Sequence, residues 1–536
     1  MVKALQMPRN ESRKLNLLCA MLVVAVFACF GRLCTAEFVT HYDDALTVQL
    51  NPRFNPPTCT NLAKFWPPFL GPKDDNNLTG RPASPNARVR INHAYGLYIP
   101  LTYTLWGLLA SIAQARNAIS NAPELNPWVF HGANVALHAC STLIVFAIVR
   151  RLVRSGIASF CGALLFAIHP IQVEAVGWVS GMKDVLCGLL GLATIRLYIA
   201  AVDASADAAF WKNRHAWLAL LTFFAALLSK PAAIIVPWII LTIDVLALRR
   251  ALRNSLIQLW PFLAFSIPFA IIGALAQPAI GVPAAALWAR PFIVGDSISF
   301  YLWKLIFPLR LGLDYGRTPV IVARGTWLFF AWIIPLTLLI AAWLARRRAP
   351  LLLTALLIFL IAPAATLGLL TFLFQYYSTV ADHYLYMAML GPALALAWII
   401  SRHPSRATYA AVALVLVGFG IRTFVQCGFW RDDMKLFSNA ERVNPRSLLA
   451  HTNLGDIDLQ RGEFDPAEQH LLAAYAVAPD HVKTILSLAQ LAQARNRKDE
   501  AIHWLCVAVD VQSRQPPELR GGLDQTKRRL SELENP

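Results

Sequence analysis

Long apolar stretches recur along this chain of 536 residues and constrain its fold more than any other feature. A helix that crosses a bilayer needs about 20 mainly apolar residues. Eleven stretches, two of them short, approach that length: 15–33, 128–149, 157–168, 185–202, 216–228, 232–248, 256–277, 326–345, 350–370, 384–400 and 407–421. Only 15% of the residues are charged, against about 25% in soluble proteins. The sequence therefore predicts an all-α, polytopic membrane protein and excludes a soluble enzyme, a disordered chain and a collagen-like fibre.

Basic residues give the expected orientation, because cytoplasmic loops of membrane proteins are enriched in lysine and arginine. The N-terminus is therefore expected in the cytoplasm, since it carries Lys3, Arg9, Arg13 and Lys14. With eleven spans, four further basic clusters lie on the same side, at 150–154, 249–253, 346–348 and 402–406. The net charge of +17 is then a property of these loops, and we expect no nucleic-acid partner.

A twelfth apolar stretch, 292–309, is interrupted by polar residues such as Asp296 and Lys304. Counting it as a span would move the basic cluster 346–348 to the outer side, so we interpret it as an outer-side or re-entrant helix. An odd number of spans places the first large loop, 35–127, and the C-terminal region in the periplasm or lumen. The first apolar stretch is expected to remain as an uncleaved span, because a poor signal-peptidase site follows it.

The region after the last span has a soluble helical pattern that repeats every 34 residues. The repeated positions are Leu454, Gly455, Ala467, Leu471, Ala474 and Pro479, followed by Leu488, Ala489, Ala501, Leu505, Ala508 and Ser513. Small residues at this spacing allow two antiparallel helices to pack closely, which is typical of tetratricopeptide repeats. We therefore predict a membrane domain, 1–425, and a C-terminal α-solenoid of about two repeats, 426–536, outside the membrane.

An acidic pair, Asp43 and Asp44, follows the first span on the outer side. A carboxylate held there can act as a general base or as a metal ligand. No cofactor is predicted with certainty, and a divalent metal at this pair stays open. The alternative interpretation is an ordinary solvated start of a loop.

Further charged residues cluster where other predicted spans reach the same side. One outer loop carries His169, Glu174, Lys183 and Asp184, and later loops carry Lys230, Lys304 and His383. Ionisable groups at a membrane boundary are costly and often functional, and a lysine there can hold a phosphate. The alternative is a structural cluster in which Glu174 neutralises Lys183.

Several common nucleotide-binding and catalytic motifs are missing from the sequence. It contains no Walker-type phosphate loop, no GxSxG motif and no CxxC pair. A reaction on the outer side would then need an activated donor that is already there, and a lipid-carried donor meets this need.

Taken in order, these motifs resemble one family. The resemblance is carried by Tyr42-Asp43-Asp44, His169-Pro170 with Glu174, Lys183-Asp184, Ser229-Lys230-Pro231 and Ala381-Asp382-His383-Tyr384. The family is the transmembrane-and-tetratricopeptide protein O-mannosyltransferases with their bacterial relatives, within the GT-C superfamily. It implies the GT-C fold and an inverting transfer of a mannose-like sugar from a polyprenyl-phosphate donor to a Ser or Thr hydroxyl of an exported protein.

The resemblance also implies roles for individual residues. Asp43 or Asp44 would be the catalytic base, and Lys183, Lys230 and then Lys304 would neutralise the phosphate. The donor site would also include His169, Glu174, Asp184 and His383, the last at a position where relatives usually have arginine.

Two other functions stay open. The chain could be a non-catalytic envelope assembly scaffold that binds proteins through its repeats, or a transporter of lipid-linked sugars. In the glycosyltransferase interpretation the repeats recruit the protein acceptor. We expect a bacterial inner membrane, with the repeats in the periplasm.

Overall fold

A computed structural model of the chain describes residues 9–51, 53–54, 57–67, 69–70, 90–91, 97–117, 125–204, 207–276, 285–369, 372–515, 520 and 522–534. Its membrane part contains α1 (Arg9–Phe30), α2 (Cys59–Ala63), α3 (Pro100–Asn117), α4 (Pro127–Val153), α5 (Gly156–Ile168), α6 (Val173–Gly177), α7 (Met182–Ala204), α8 (Arg214–Ser229), α9 (Val236–Thr242), α10 (Leu252–Ala276), α11 (Arg290–Ile306), α12 (Pro319–Arg324), α13 (Ile333–Leu344), α14 (Pro350–Ile361), α15 (Leu390–Arg402) and α16 (Arg406–Cys427). The C-terminal part contains α17 (Asp433–Val443), α18 (Leu448–Gln460), α19 (Phe464–Val477), α20 (Val482–Ala494), α21 (Lys498–Arg514) and α22 (Leu523–Glu534). Two-residue strands β1 (Phe69–Leu70) and β2 (Arg90–Ile91) pair antiparallel, with Phe69 opposite Ile91. The all-α prediction is confirmed.

Each of the eleven predicted spans corresponds to an apolar helix, although not all of these helices are long. Within the part of the chain that the structure describes, six helical segments are long and apolar enough to cross a membrane: Glu11–Thr35, Pro127–Val153, Val179–Ala204, Leu252–Ala276, Thr326–Arg347 and Arg406–Trp430. A pair bent by 45°, Gly156–Ile168 with Pro170–Gly177, would make a seventh. Four shorter apolar helices account for the others: Arg214–Ser229, Pro231–Ala247, Pro350–Thr366 and Leu390–Arg402. The chain is therefore a multi-pass membrane protein, and eleven full spans remain a prediction.

Proline follows the ends of two short predicted spans, 157–168 and 216–228. Pro170 and Pro231 each start a short 3-10 segment directly after a charged or titratable residue, His169 and Lys230. A proline has no N–H to continue a helix, and the residue before it favours extended backbone. The span predicted at 384–400 also begins later, since α15 starts at Leu390 after a 3-10 turn at Asp382–Leu385. These breaks bring polar backbone and charged side chains to the helix ends.

Central and peripheral helices differ in how much of their apolar surface is buried. The spans Pro127–Val153 and Val179–Ala204 are 56% and 61% buried, whereas Leu252–Ala276 and Thr326–Arg347 are only 22% and 17% buried. The peripheral helices expose large apolar side chains such as Trp260, Ile267 and Leu344. Exposed apolar surface of this extent is typical of helices that face lipid.

Glycine allows the central helices to approach each other closely. A Cβ atom at Gly162 on α5 would clash with the carbonyl oxygen of Ala393 on α15. Gly391 on α15 lies equally close to the carbonyl oxygen of Ala355 on α14. Small residues at helix contacts replace the hydrophobic driving force that is missing between helices in lipid.

The two ends of α7 carry different chemistry. Lys183 and Asp184 lie in its first turn, whereas Asp203 near its end pairs with Arg151 at the end of α4, with an N–O distance of 2.5 Å. The rise of an α-helix separates these ends by about 30 Å, close to the thickness of a bilayer core. The candidate catalytic residues and a predicted cytoplasmic basic cluster therefore lie at opposite ends of this helix.

Beyond α17, the C-terminal region consists of two helical hairpins, α18–α19 and α20–α21, followed by α22. The first helices start at Leu448 and Val482, and the second helices start at Phe464 and Lys498, so corresponding helices begin 34 residues apart. A Cβ at Gly455 would lie 2.6 Å from Cγ of Leu471, so this position needs glycine. The spacing fits the predicted tetratricopeptide repeats, and that assignment remains a prediction.

The hairpins are attached to the membrane part by hydrogen bonds. Ser447, the N-cap of α18, donates its hydroxyl to Oδ2 of Asp314, with an O–O distance of 2.6 Å. Asp433 at the start of α17 accepts the Thr40 hydroxyl at 2.6 Å and interacts with Nδ1 of His41 at 2.7 Å. The predicted domain boundary at 425 falls within α16, which ends at Cys427, and the division itself stays a prediction.

Candidate active site

The acidic pair after the first span contains two carboxylates in different environments. Asp44 is fully buried, and its Oδ2 accepts the Val39 N–H at 3.1 Å. Its Oδ1 accepts both the N–H and the hydroxyl of Ser180, at 2.9 and 2.7 Å. Three donors therefore hold the Asp44 carboxylate in place, and burial raises its pKa to about 6.

Asp43 is only half-buried, and its carboxylate makes no hydrogen bond or ion pair with the residues that the structure describes. Burial raises the pKa of this carboxyl, and the positive charges of Lys183 and His383 act in the opposite direction. A carboxylate with free oxygens and a raised pKa is suited to accept a proton from a hydroxyl. Of the predicted pair, Asp43 is therefore the carboxylate available for chemistry.

Glu174 connects the bend after α5 to the 3-10 turn before α15. Its Oε2 accepts the N–H groups of Asp382 and His383 at 2.8 and 3.2 Å. Its Oε1 lies 2.8 Å from Nδ1 of His383, and both side chains are buried. The alternative in which Glu174 neutralises Lys183 is not what the structure shows, because the partner of Glu174 is His383.

Two lysines near Asp43 differ in their pairing. The ammonium of Lys230 forms an ion pair with Asp184 at 2.5 Å, and both side chains are buried. Lys183 instead donates to the Ser180 carbonyl at 2.9 Å and lies over the Trp178 ring, 3.9 Å from its centroid. Among the described residues no carboxylate lies within ion-pair distance of Lys183, which leaves its charge available to an anion.

Lys304 lies on α11, beside the 3-10 turn Asp382–Leu385 that precedes α15. Its ammonium donates to the Arg310 carbonyl and lies 4.8 Å from the centroid of the Tyr315 ring. The Tyr315 hydroxyl donates to Asp382 at 2.8 Å. Burial and the nearby Glu174 raise the pKa of Asp382 to about 8, while the charge of Lys304 opposes that shift.

His169 is fully buried with both ring nitrogens engaged by the backbone. Nδ1 accepts the Ile171 N–H at 3.2 Å and caps the short helical segment after it. Nε2 then carries the proton and donates to the Leu305 carbonyl at 3.0 Å. This arrangement joins the bend after α5 to the end of α11, so His169 positions the site and offers no free nitrogen to a ligand.

Aromatic rings surround the charged groups. Tyr42 lies 5.1 Å from Trp178 between ring centroids, and Trp178 lies 5.8 Å from His383. Tyr384 and Phe374 are also ring neighbours of His383. Ligand sites are typically lined by apolar and aromatic side chains with a few placed polar groups, and this site has that composition.

The structure thus brings all the predicted site residues to one end of the membrane part. They come from the loop after α1, the bend between α5 and α7, the turn after α8, α11, and the turn before α15. Sequence reasoning missed Ser180, which holds Asp44 with two hydrogen bonds. Its position between Trp178 and Lys183 was the available signal, but an isolated serine carries little information without the fold.

No family model matches the chain. "Protein O-mannosyl-transferase TMTC1" of Homo sapiens is 24% identical over 530 residues, covering 88% of this chain and 56% of the relative. "Protein O-mannosyl-transferase TMTC3" of Homo sapiens is 23% identical over 528 residues, covering 90% of this chain and 53% of the relative. Over most of its length the chain is similar to TMTC protein O-mannosyl-transferases.

Other TMTC relatives are similar over shorter stretches. "Protein O-mannosyl-transferase TMTC4" of Mus musculus is 26% identical over 395 residues, covering 62% of this chain and 52% of the relative. The TMTC-like chain spans about half the length of the curated relatives it matches. The predicted family resemblance is confirmed, and its bacterial branch remains a prediction.

Proposed function

We propose that the chain is a membrane glycosyltransferase that moves mannose from a polyprenyl-phosphate donor to a Ser or Thr hydroxyl of an exported protein, with inversion. The observation that carries this proposal is the free Asp43 carboxylate, which is within electrostatic reach of the unpaired Lys183 and of His383. The names of the TMTC relatives support protein O-mannosyl transfer. A base opposite a cation is what a single displacement at a sugar phosphate requires.

In the proposed step, Asp43 takes the proton of the acceptor hydroxyl while the hydroxyl oxygen attacks the anomeric carbon. The bond between that carbon and the phosphate oxygen breaks, and polyprenyl phosphate leaves with the electron pair. Attack and departure on opposite faces invert the anomeric configuration. No covalent sugar-enzyme intermediate and no metal are required by this scheme.

The leaving phosphate gains charge, and Lys183 is its first proposed partner because this ammonium has no carboxylate partner among the described residues. Lys230 contributes at longer range, since Asp184 already neutralises part of its charge. Lys304 is the third cation, held beside Asp382 and Tyr315. Fixed positive groups that face a developing negative charge lower the barrier without reorganisation during the reaction.

Three residues are proposed to position these groups. Asp44 fixes the loop that carries Asp43, and Glu174 fixes the turn that carries His383. His169 fixes the bend between them. Nδ1 of His383 faces Glu174, so we propose that its Nε2 faces the polyprenyl-phosphate sugar. There it would donate a hydrogen bond, in place of the arginine that relatives usually have.

The acceptor protein is proposed to bind along the C-terminal hairpins. A cavity of about 670 Å³ is lined by Asp456 and Lys483 of the hairpins and by Tyr376 of the membrane part. Tyr376 adjoins Tyr377, which packs on Phe374 beside His383. A peptide in this cavity would therefore lie next to the candidate site. In the proposed topology, the N-terminal segment of the chain is cytoplasmic. The hairpins and the candidate site then both face the periplasm or lumen.

The test is transfer by the full chain reconstituted in lipid vesicles. Labelled polyprenyl-phosphate mannose and Ser/Thr-rich peptides are the substrates, and polyprenyl-phosphate glucose tests the sugar. Wild type and the control Asp499→Asn, an exposed site on α21, should transfer label equally. Asp43→Asn should transfer label about 10²–10⁴-fold more slowly. Product with an anomeric configuration opposite to the donor supports inversion. No transfer from any lipid-linked sugar, combined with specific capture of envelope proteins, would favour the scaffold instead.

A further inference from the structure

Three potential ligand groups meet at the junction between α17 and the first hairpin, away from the candidate active site. Glu441 comes from α17, His451 from α18 and His470 from α19, and their ligand atoms all lie within 4.8 Å of one another. The two Nδ1 atoms are 3.2 Å apart. Oε1 of Glu441 lies 3.8 Å from Nδ1 of His451 and 3.9 Å from Nδ1 of His470.

The outer nitrogens of both rings face hydrogen-bond acceptors. Nε2 of His451 lies 3.0 Å from the Pro445 carbonyl, so it carries the ring proton and leaves a lone pair on Nδ1. Nε2 of His470 lies 3.8 Å from Oδ2 of Asp458. Histidines that bind metals usually donate their other N–H to a carbonyl or carboxylate, which fixes the tautomer and the ring orientation. His451 has such a hydrogen-bonded partner, and the Asp458 carboxylate lies on the corresponding side of His470, 3.8 Å away and beyond hydrogen-bond distance.

When the proton of His470 is on Nε2, on the side of Asp458, the near sides of the rings present two lone pairs and one carboxylate oxygen to a common point. Two Nδ1 lone pairs at 3.2 Å repel each other unless a proton or a cation lies between them. Zn–N bonds of about 2.0–2.1 Å in a tetrahedron separate two nitrogen ligands by about 3.4 Å. The observed separation is therefore close to that of two ligands on one zinc ion.

We propose that Glu441, His451 and His470 bind one divalent transition-metal ion of the Zn²⁺ class, with water in the fourth position. Two imidazoles and a carboxylate form a borderline-soft donor set that suits such ions. Glu441 is partly exposed, so its side chain is free to move the remaining few tenths of an ångström toward the ion. This proposal is independent of the proposed glycosyltransferase activity.

The position of the metal suggests what it stabilises. It would join α17 to α18 and α19, that is, the linker helix to the first hairpin. The same linker helix begins at Asp433, which holds Thr40 and His41 just before the acidic pair. The metal would therefore cross-link α17 to the first hairpin and fix the hairpins relative to the loop that carries Asp43.

The experiment uses the full chain, purified in detergent without a polyhistidine tag and stripped of metal with a chelator. Co²⁺ is titrated first, because its visible spectrum reports ligand type and geometry, and Zn²⁺ is then used in competition. The variants are His470→Gln and Glu441→Gln, which change partly exposed side chains and leave the buried His451 intact. The matched control is His503→Gln, an exposed histidine on α21.

We expect one equivalent of Co²⁺ per chain, a spectrum without thiolate bands, and displacement by Zn²⁺. Loss of a residue that hydrogen-bonds to a metal ligand weakens metal binding by about 10–100-fold, so loss of the ligand His470 itself should weaken it by at least about 100-fold. His503→Gln should bind as wild type does. Zn²⁺ should also raise the thermal midpoint of wild type and not that of His470→Gln.

Several results would overturn the proposal. One is the absence of stoichiometric binding at micromolar Co²⁺. Another is equal binding by wild type and His470→Gln. A third is loss of binding after alkylation of the exposed thiols Cys59, Cys140 and Cys506, which would place the ion at cysteine. In that last case, the short distance between the two Nδ1 atoms is explained by a hydrogen bond between the histidines, with no metal ion between them.

Discussion

Replacing each aspartate of the acidic pair by asparagine should separate activity from stability. Asp43→Asn removes the proposed base and breaks no hydrogen bond that the structure describes, because this carboxylate makes none. Asp44→Asn leaves the base and disrupts a buried carboxylate that accepts three hydrogen bonds. The two neighbouring substitutions are identical in size and charge change, so each serves as the control for the other.

The stability cost of Asp44→Asn follows from its contacts. The amide oxygen of asparagine can keep the two hydrogen bonds from Ser180, but its NH₂ group then faces the Val39 N–H, which is also a donor. A buried donor without an acceptor costs about 1–3 kcal/mol. We therefore expect unfolding to become easier by about 1–3 kcal/mol. For Asp43→Asn we expect a change within about 0.5 kcal/mol, as for other substitutions that remove no buried contact.

The activity cost is expected in the opposite order. General-base catalysis contributes about 10²–10⁴-fold, so Asp43→Asn should slow transfer by that factor, or about 3–5 kcal/mol in the barrier. Asp44→Asn leaves the base chemistry in place and should lose less, through displacement of the loop. Transfer by Asp43→Asn should not be restored by raising the pH, because the amide does not titrate in that range.

Two measurements on the same preparations test this prediction. Initial rates of label transfer in vesicles give the activity, and unfolding in mixed detergent micelles gives the relative stability. The reasoning is refuted if Asp43→Asn transfers sugar at the wild-type rate. It is also refuted if Asp43→Asn unfolds more easily than Asp44→Asn, because Asp43 would then be the structural carboxylate.

Three further predictions concern the surrounding groups. Lys183→Gln should reduce transfer by at least about tenfold and weaken donor binding, while the exposed control Lys498→Gln should change neither, as measured by rates against donor concentration. Asp314→Ala should destabilise the attachment of the hairpins by about 1–3 kcal/mol, because it leaves the buried Ser447 hydroxyl without its acceptor; increased proteolysis near α17 is the measurement. The pKa of Asp382, raised by burial to about 8, means that the folded chain retains a proton that the unfolded chain releases above about pH 4. Wild-type stability should therefore fall as pH rises toward 8, and thermal midpoints of Asp382→Asn should be less dependent on pH.

The helical membrane fold was predictable because hydropathy over about 20 residues depends on local sequence alone. All eleven apolar stretches became helices, and the 34-residue spacing reappears in the hairpins. The lengths were less predictable. The short helices before Pro170 and Pro231 could be predicted from the sequence, whereas the late start of α15 accompanies hydrogen bonds of Asp382 and His383 to Glu174. Those contacts join residues more than 200 positions apart.

The membership of the candidate site was predictable, whereas the function of each member was not. Charges at one membrane boundary mark a site regardless of their partners. Whether a carboxylate is free or fixed depends on donors that come from elsewhere in the chain. The sequence makes Asp43 and Asp44 equivalent, and the hydrogen bonds from Ser180 and from the Val39 N–H distinguish them. In the same way, the charge of Lys230 is neutralised by Asp184, whereas Lys183 donates to the Ser180 carbonyl.

The linker helix α17 connects these observations. At its first residue Asp433 holds the loop that leads to Asp43, and beyond its end Ser447 holds Asp314. In between, Asn439 donates to the Leu311 carbonyl at 2.9 Å. A helix fixed to the membrane part at three points cannot rotate with the hairpins as a flexible linker would. An acceptor bound in the hairpins would therefore meet Asp43 at a fixed distance, so the choice of hydroxyl should depend on how far it lies along the bound peptide from the segment that the hairpins hold.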